Sequence, residues 1–234
     1  MFERNHGIIV ACDVTSIEEL KRLVLATTDV EGIVGYKLGF LPGLRHGLPD
    51  IVSLIKDISD LPVIYDHQKA GTDIPDMGEP FALLMKECSA DSAIIFPQAG
   101  PKTQEAFTRA LQKHGVIPMV GGELSHAQFL AKDGGYLRDE APEAMYTLAM
   151  QHGVRHFVVP GTKPDAIQKY AELLAPSDPV FCIPGIGKQG GSVEEAFRAC
   201  GEFNAHAIIG RALYGAPDAR AAARQFCALA LRFD

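Results

Sequence analysis

Short, nearly uninterrupted apolar runs recur along the chain, each giving way to a polar turn and then to a stretch with apolar residues every three or four positions. Runs of this kind describe strands covered on both faces rather than strands with one wet face. Eight stand out: GIIVAC (7–12), GIVGYKLG (32–39), PVIYD (62–66), SAIIFP (92–97), GVIPMV (115–120), RHFVVP (155–160), PVFCIP (179–184) and AHAIIG (205–210). Between them the period lengthens to that of a helix. In SIEELKRLVLAT (16–27), Ile17, Leu20, Leu23 and Val24 share one face, and Ser16 or Thr15 is placed to cap the start. The last such stretch, APDARAAARQFCALALRF (216–233), is alanine-rich and strongly helix-forming.

Eight strand-then-helix units predict an α/β protein, a parallel (β/α)8 or TIM barrel. An open doubly wound sheet is the alternative architecture. It usually starts with a glycine-rich turn for a nucleotide, whereas the first turn here reads ACDVTS (11–16). No Pro/Ser-rich linker, charge block or repeat divides the sequence, so residues 1–234 are expected to form a single catalytic domain.

Composition narrows the function classes. A hydrophobic fraction of 47% with 22% charged residues is that of a soluble globular protein. No stretch approaches the ~20 apolar residues of a membrane span, and the N-terminus has too short an apolar run for a secretory signal. A cytoplasmic protein with no membrane partner is expected. The net charge of −7 argues against nucleic-acid binding but leaves room for a small anion held by local cations. Five cysteines, an odd number with no C-x-x-C pair, read as reduced, buried thiols rather than as disulfides or metal ligands. Cys12 and Cys182 lie near strand ends, but neither is accompanied by a pattern that would activate a thiol.

Chemistry in such a barrel belongs at the C-terminal ends of the strands. Strand one delivers Asp13, strand two carries Lys37, and strand three is followed by Asp66, Lys69 and Asp73 within YDHQKAGTDIPD (65–76). One charge at a strand end is usually a loop residue or a helix cap. Alternating acid and base on three consecutive strands instead describes a fixed field in a confined cleft. After strands seven and eight come PGIGKQGG (184–191) and IIGRALYG (208–215). Their glycines let backbone N–H groups approach an anion closely and Arg211 adds a forked cation, a combination that points to phosphate. After strand five, GGELSHAQFLAKDGGYLRDEAP (121–142) has little periodicity and is expected to form a lid. Ser125, at its start, is placed to contact a polar ligand; His126 reads equally well as structural.

These residues together resemble the orotidine 5′-monophosphate decarboxylase family. The similarity runs from ACDV to IIGRALYGAPDARAAA and is most specific in ELSH, VVPGTKPDAI and CIPGIGKQGG followed by AIIGRALY. It implies a decarboxylase without cofactor or metal that converts orotidine 5′-monophosphate to UMP in a homodimeric barrel. By resemblance, Asp13 contacts ribose and Lys37 links ribose to the charge network. Asp66 lies against the substrate carboxylate, and Lys69 protonates C6 of the pyrimidine. Asp73 reaches into the neighbouring subunit's site, with Ile74 beside the base. Ser125 bonds the pyrimidine edge, Pro184 packs nearby, and Gln189, Gly210 and Arg211 hold the phosphate.

The sequence departs from the family at one place. The family pattern Asp-x-Lys-x-x-Asp is lengthened here by one residue in each gap, and Met77 stands where the family has a threonine. A backbone bulge at Gly71 is expected to restore the spacing. Two other functions stay open at this point. One is a Mg²⁺-dependent sugar-phosphate decarboxylase or aldolase from a related barrel; the other is a nucleotide-monophosphate-binding protein that has lost catalysis.

Overall fold

The computed structural model describes residues 1–67 and 72–234. Strands β1 (His6–Ala11), β2 (Ile33–Gly39), β3 (Val63–Asp66), β4 (Ser92–Ile95), β5 (Ile117–Gly121), β6 (His156–Val158), β7 (Val180–Pro184) and β8 (Asn204–Ile209) pair in chain order. Every pairing is parallel, and β8 closes the barrel on β1 with Ile8 opposite Ala207. Each predicted strand is present, shifted only at its ends.

Helices α1 (Ile17–Thr27), α2 (Phe40–His46), α3 (Leu48–Lys56), α4 (Gly78–Glu87), α5 (Pro101–Lys113), α6 (Ala141–Gln151), α7 (Pro164–Leu174), α8 (Val193–Ala199), α9 (Arg211–Tyr214) and α10 (Ala219–Ala230) connect the strands. Local chemistry sets several starts. Ser16 caps α1, its hydroxyl accepting from the Glu19 N–H at 3.1 Å, and the helix then buries Leu20, Leu23 and Val24. Pro101 and Pro164 begin α5 and α7, where a missing N–H removes no helical hydrogen bond.

Strand periodicity divides the apolar residues into two layers. Ile8 and Val10 of β1 face the helices, while Ile9 and Ala11 point into the barrel with Val34, Ile64, Ile94, Met119 and Ile208. Each fully buried side chain of this size contributes about 1.5–3 kcal/mol, so the two-layer core fixes strand register firmly. Phe2 closes the N-terminal end of the barrel, its ring centroid 4.1 Å from that of His206. Near the other end Phe96 occupies the interior beside Gly121, where a Cβ would come within 2.1 Å of the Phe96 ring. Glycine is therefore required at the end of β5, and the polar cleft begins beyond this apolar plug.

The segment after β5 has more order than its sequence suggests. Phe129 and Leu130 are buried, Leu130 bridges to Leu137, and a single turn of 3-10 helix spans Ala131–Asp133. Its backbone is further tied by Asp139, which accepts from the Lys132 N–H at 2.9 Å.

Candidate active site

Alternation along β2 sends Tyr36 outward and Lys37 inward; along β3 it does the same for Tyr65 and Asp66. Parallel register sets Lys37 opposite Ala11 of β1, near the start of the loop that carries Asp13. The Lys37 ammonium lies 3.2 Å from each carboxylate oxygen of Asp13 and 3.3 Å from Oδ2 of Asp66. Lys37 is 4% exposed and Asp66 1%. Burial works to strip the Lys37 proton, but the charges of Asp66 and Asp13 outweigh it and hold its pKa above the usual lysine value. A fixed cation between two acids thus stands at the bottom of the cleft.

The opposite end of the cleft is built by the loops after β7 and β8. Gly185, Gly187 and Gly190 all have positive φ, which side-chain-bearing residues adopt only at a cost. The loop folds back through Gly187 N–H to Gly191 O (2.9 Å) and Gly191 N–H to Gly185 O (3.0 Å). It brings Lys188 and Gln189 to the cleft, where they meet Gly210 and Arg211. Two cations therefore converge there on a protein whose net charge is −7. This arrangement suits an anion that also carries hydroxyl groups able to reach the Asp13–Lys37–Asp66 array.

Asp13, Lys37, Asp66, Pro184, Gln189, Gly210 and Arg211, all expected from the sequence, share this one cleft. Ser125 stands at its margin and donates a hydrogen bond to Gln189 Oε1 at 3.3 Å. Asp73 and Ile74 are placed elsewhere. Asp73 lines a separate apolar hollow with Met77, Phe81 and Leu84, and Ile74 is exposed. Lys69 and Gly71, and with them the expected bulge, lie outside the described residues.

The five cysteines are free and buried, as expected. Burial pushes the Cys182 thiol up to about 12 and that of Cys12 higher still, so neither supplies a thiolate at neutral pH. His126 is exposed and packs edge-on against Phe129, outside the cleft. Lys188 and Tyr214 were not expected but both line the cleft. The available signal was their position inside the two glycine-bearing loops already singled out for phosphate.

Fold and site define a (β/α)8 barrel protein whose rim sets two cations beside a preset lysine–carboxylate array. The chain belongs to the orotidine 5′-phosphate decarboxylase / HUMPS family, whose pattern matches residues 7–226. It is 31% identical over 220 residues to the orotidine 5′-phosphate decarboxylase of Pyrococcus furiosus, covering 93% of this chain and 94% of the relative. With the enzyme of the same name from Pyrococcus abyssi the identity is 30% over 220 residues, 93% of this chain and 96% of the relative. The crystal structure of orotidine 5′-monophosphate decarboxylase from Methanocaldococcus jannaschii complexed with inhibitor BMP has the same fold, with a TM-score of 0.83. Its identity is 24%, with coverage of 96% of this chain and 98% of that one.

Proposed function

We propose that the protein decarboxylates orotidine 5′-monophosphate to UMP and CO2, a step of pyrimidine nucleotide synthesis, without a cofactor. The observation that carries this is the Asp13–Lys37–Asp66 array, with Lys37 and Asp66 buried, facing the Gln189–Arg211 end of one cleft, in a chain that matches the family over residues 7–226.

In the proposed reaction the bond from C6 to the carboxylate breaks heterolytically, CO2 leaves, and the electron pair stays on C6. The Lys69 ammonium gives that carbon a proton and is recharged from water. Asp66 lies beside the departing carboxylate. Asp13 and Lys37 hold the ribose, and because Lys37 is already charged and bonded it needs little rearrangement when substrate arrives. Gln189, Gly210 and Arg211 take the phosphate, while Ser125 bonds the pyrimidine edge beside Pro184. Binding energy from the phosphate, remote from the breaking bond, orients the base.

The active form is proposed to be a cytoplasmic homodimer in which Asp73 completes the partner's cleft, with Ile74 beside the base. Two features support this: Asp73 is absent from its own chain's cleft, and the surrounding surface leaves Ile74 59%, Met77 42% and Leu84 49% exposed.

A spectrophotometric assay of orotidine 5′-monophosphate with the wild type and with Lys69→Ala tests the assignment. Wild-type turnover should be unaffected by EDTA. Lys69→Ala should lose turnover by at least about four orders of magnitude while still binding UMP. Normal turnover by the variant would remove Lys69 from the mechanism. Mg²⁺-dependent activity on a sugar phosphate, with none on the nucleotide, would replace the proposed substrate.

A further inference from the structure

A second ion pair, its carboxylate buried and its lysine side chain 27% exposed, lies at the base of the segment that follows β5, outside the cleft. Glu123 is 4% exposed and sits two residues before Ser125. Its Oε1 accepts from the Lys163 ammonium at 2.7 Å, and its Oε2 accepts from the Tyr170 hydroxyl. Its backbone N–H donates to the Tyr146 hydroxyl at 3.4 Å, and Tyr146 in turn donates to Val158 O at 2.7 Å. Burial and the bond to Glu123 raise the Tyr170 pKa well above its usual value, so that hydroxyl remains a donor. Lys163 caps α7 and Tyr170 lies within it, so the carboxylate ties the end of β5 to the helix that follows β6.

Burying a carboxylate, even in an ion pair, is rarely the cheapest way to stabilise a fold, because its desolvation offsets much of the attraction. Its location is therefore informative. Thr162, next to Lys163, donates its hydroxyl to the Ser125 carbonyl at 3.0 Å, and Ser125 donates its own to Gln189 at 3.3 Å. A Cβ on Gly185 would come within 3.2 Å of Ser125 Cβ and 3.3 Å of Thr162 Cγ2, so all three rim loops meet at this point. Ser125 is thus held from behind through Glu123 and Lys163, from the side through Thr162, and in front by Gln189.

We infer that Glu123, Lys163 and Tyr170 form a clamp that positions Ser125 and Gln189 for the nucleotide. None of the three lines the cleft; they are positioning residues acting through Ser125. The inference rests on the nucleotide reading of the cleft given above.

The test measures UMP affinity by calorimetry, and kcat and KM for orotidine 5′-monophosphate, at a temperature where circular dichroism shows each variant folded. Lys163→Met should raise the UMP Kd and the substrate KM by about tenfold with kcat nearly unchanged, the size expected when a remote contact organises a binding group. Lys163→Arg, which can still pair with Glu123, should restore most of the affinity. If Lys163→Met does not fold, Glu123→Gln with Lys163→Met removes both charges together, leaves no unpaired buried ion, and should show the same loss of affinity. A folded variant with wild-type Kd and KM would reduce the clamp to a purely structural ion pair. A wild type that binds no UMP would instead overturn the nucleotide reading, and the clamp's role with it.

Discussion

Lys37 shows how completely neighbours decide what a residue can do. Buried alone, an ammonium would shed its proton; between Asp13 and Asp66 it keeps it, with a pKa above 10.5. The stability gained from this is present in full below that unfolded-state value and is lost only as the pH rises through the still higher folded value. The Lys37 charge is therefore constant throughout the neutral range. Lys37→Met should destabilise the fold by about 3 kcal/mol, the lower end for breaking a buried pair, because the Asp13 side chain is 30% exposed and so less costly to leave. It should also cut kcat/KM by about a hundredfold or more, through loss of positioning and of fixed charge. Denaturant unfolding and steady-state kinetics check both, and a stable, fully active variant would contradict the role given to this residue. The candidacy of Lys37 was legible in the sequence, since a lysine inside the apolar run GIVGYKLG is conspicuous. Its bonding to Asp13 and Asp66 was not, because those partners come from other strands.

Among the elements, the strands were the most legible. Parallel strands covered on both faces must be apolar throughout, and turn residues bound each one. The segment after β5 was the least legible. Phe129 and Leu130 are buried, and no local period announces that. Between these extremes lies α4, whose apolar residues Leu83 and Leu84 remain 41% and 49% exposed. Amphipathic helices normally cover such residues, and here a second copy of the chain is the proposed cover. Leu84→Glu should cost the single chain no more than about 0.5 kcal/mol, as expected at an exposed position, yet convert the proposed dimer to a monomer. Sedimentation velocity would show the change. In the proposed assembly turnover should fall with it, because Asp73 would no longer reach a partner's cleft; a monomeric, fully active variant would show that each cleft is complete by itself.

At the scale of the whole molecule, closing the barrel creates an interior that no single element contains. At its N-terminal end His206 is fully buried, and neither ring nitrogen has a hydrogen-bond partner among the described residues. Burial pushes its pKa down to about 3, with His6, His156 and the chain N-terminus adding like charge and Asp234 opposing them. His156, half-buried, falls to about 4 through desolvation, with the chain N-terminus and Arg155 adding like charge. Unfolded, both titrate near 6.5. The unfolded chain therefore binds more protons than the folded one once the pH drops below that value, and stability falls progressively toward the folded pKa values; above it their contribution is constant. His206→Leu should remove about 1.4 kcal/mol per pH unit from the acid limb of the stability curve. Thermal unfolding between roughly pH 4 and 7 measures that slope, and an unchanged slope would exclude His206 as its source.

What the sequence determined by itself was periodic or local. Eight apolar runs, a cap at Ser16 or Thr15, the glycine loops after β7 and β8, and the acidic and basic residues at strand ends all follow from short-range rules of backbone and burial. The tertiary structure alone decided which of those charges meet. It joined Asp13, Lys37 and Asp66 while setting Asp73 apart, drew Lys188 and Tyr214 into the cleft, and buried Glu123 against Lys163 and Tyr170. Side-chain distance across a closed barrel depends on strand register and tilt, which are set by the packing of the entire interior rather than by any one stretch of residues.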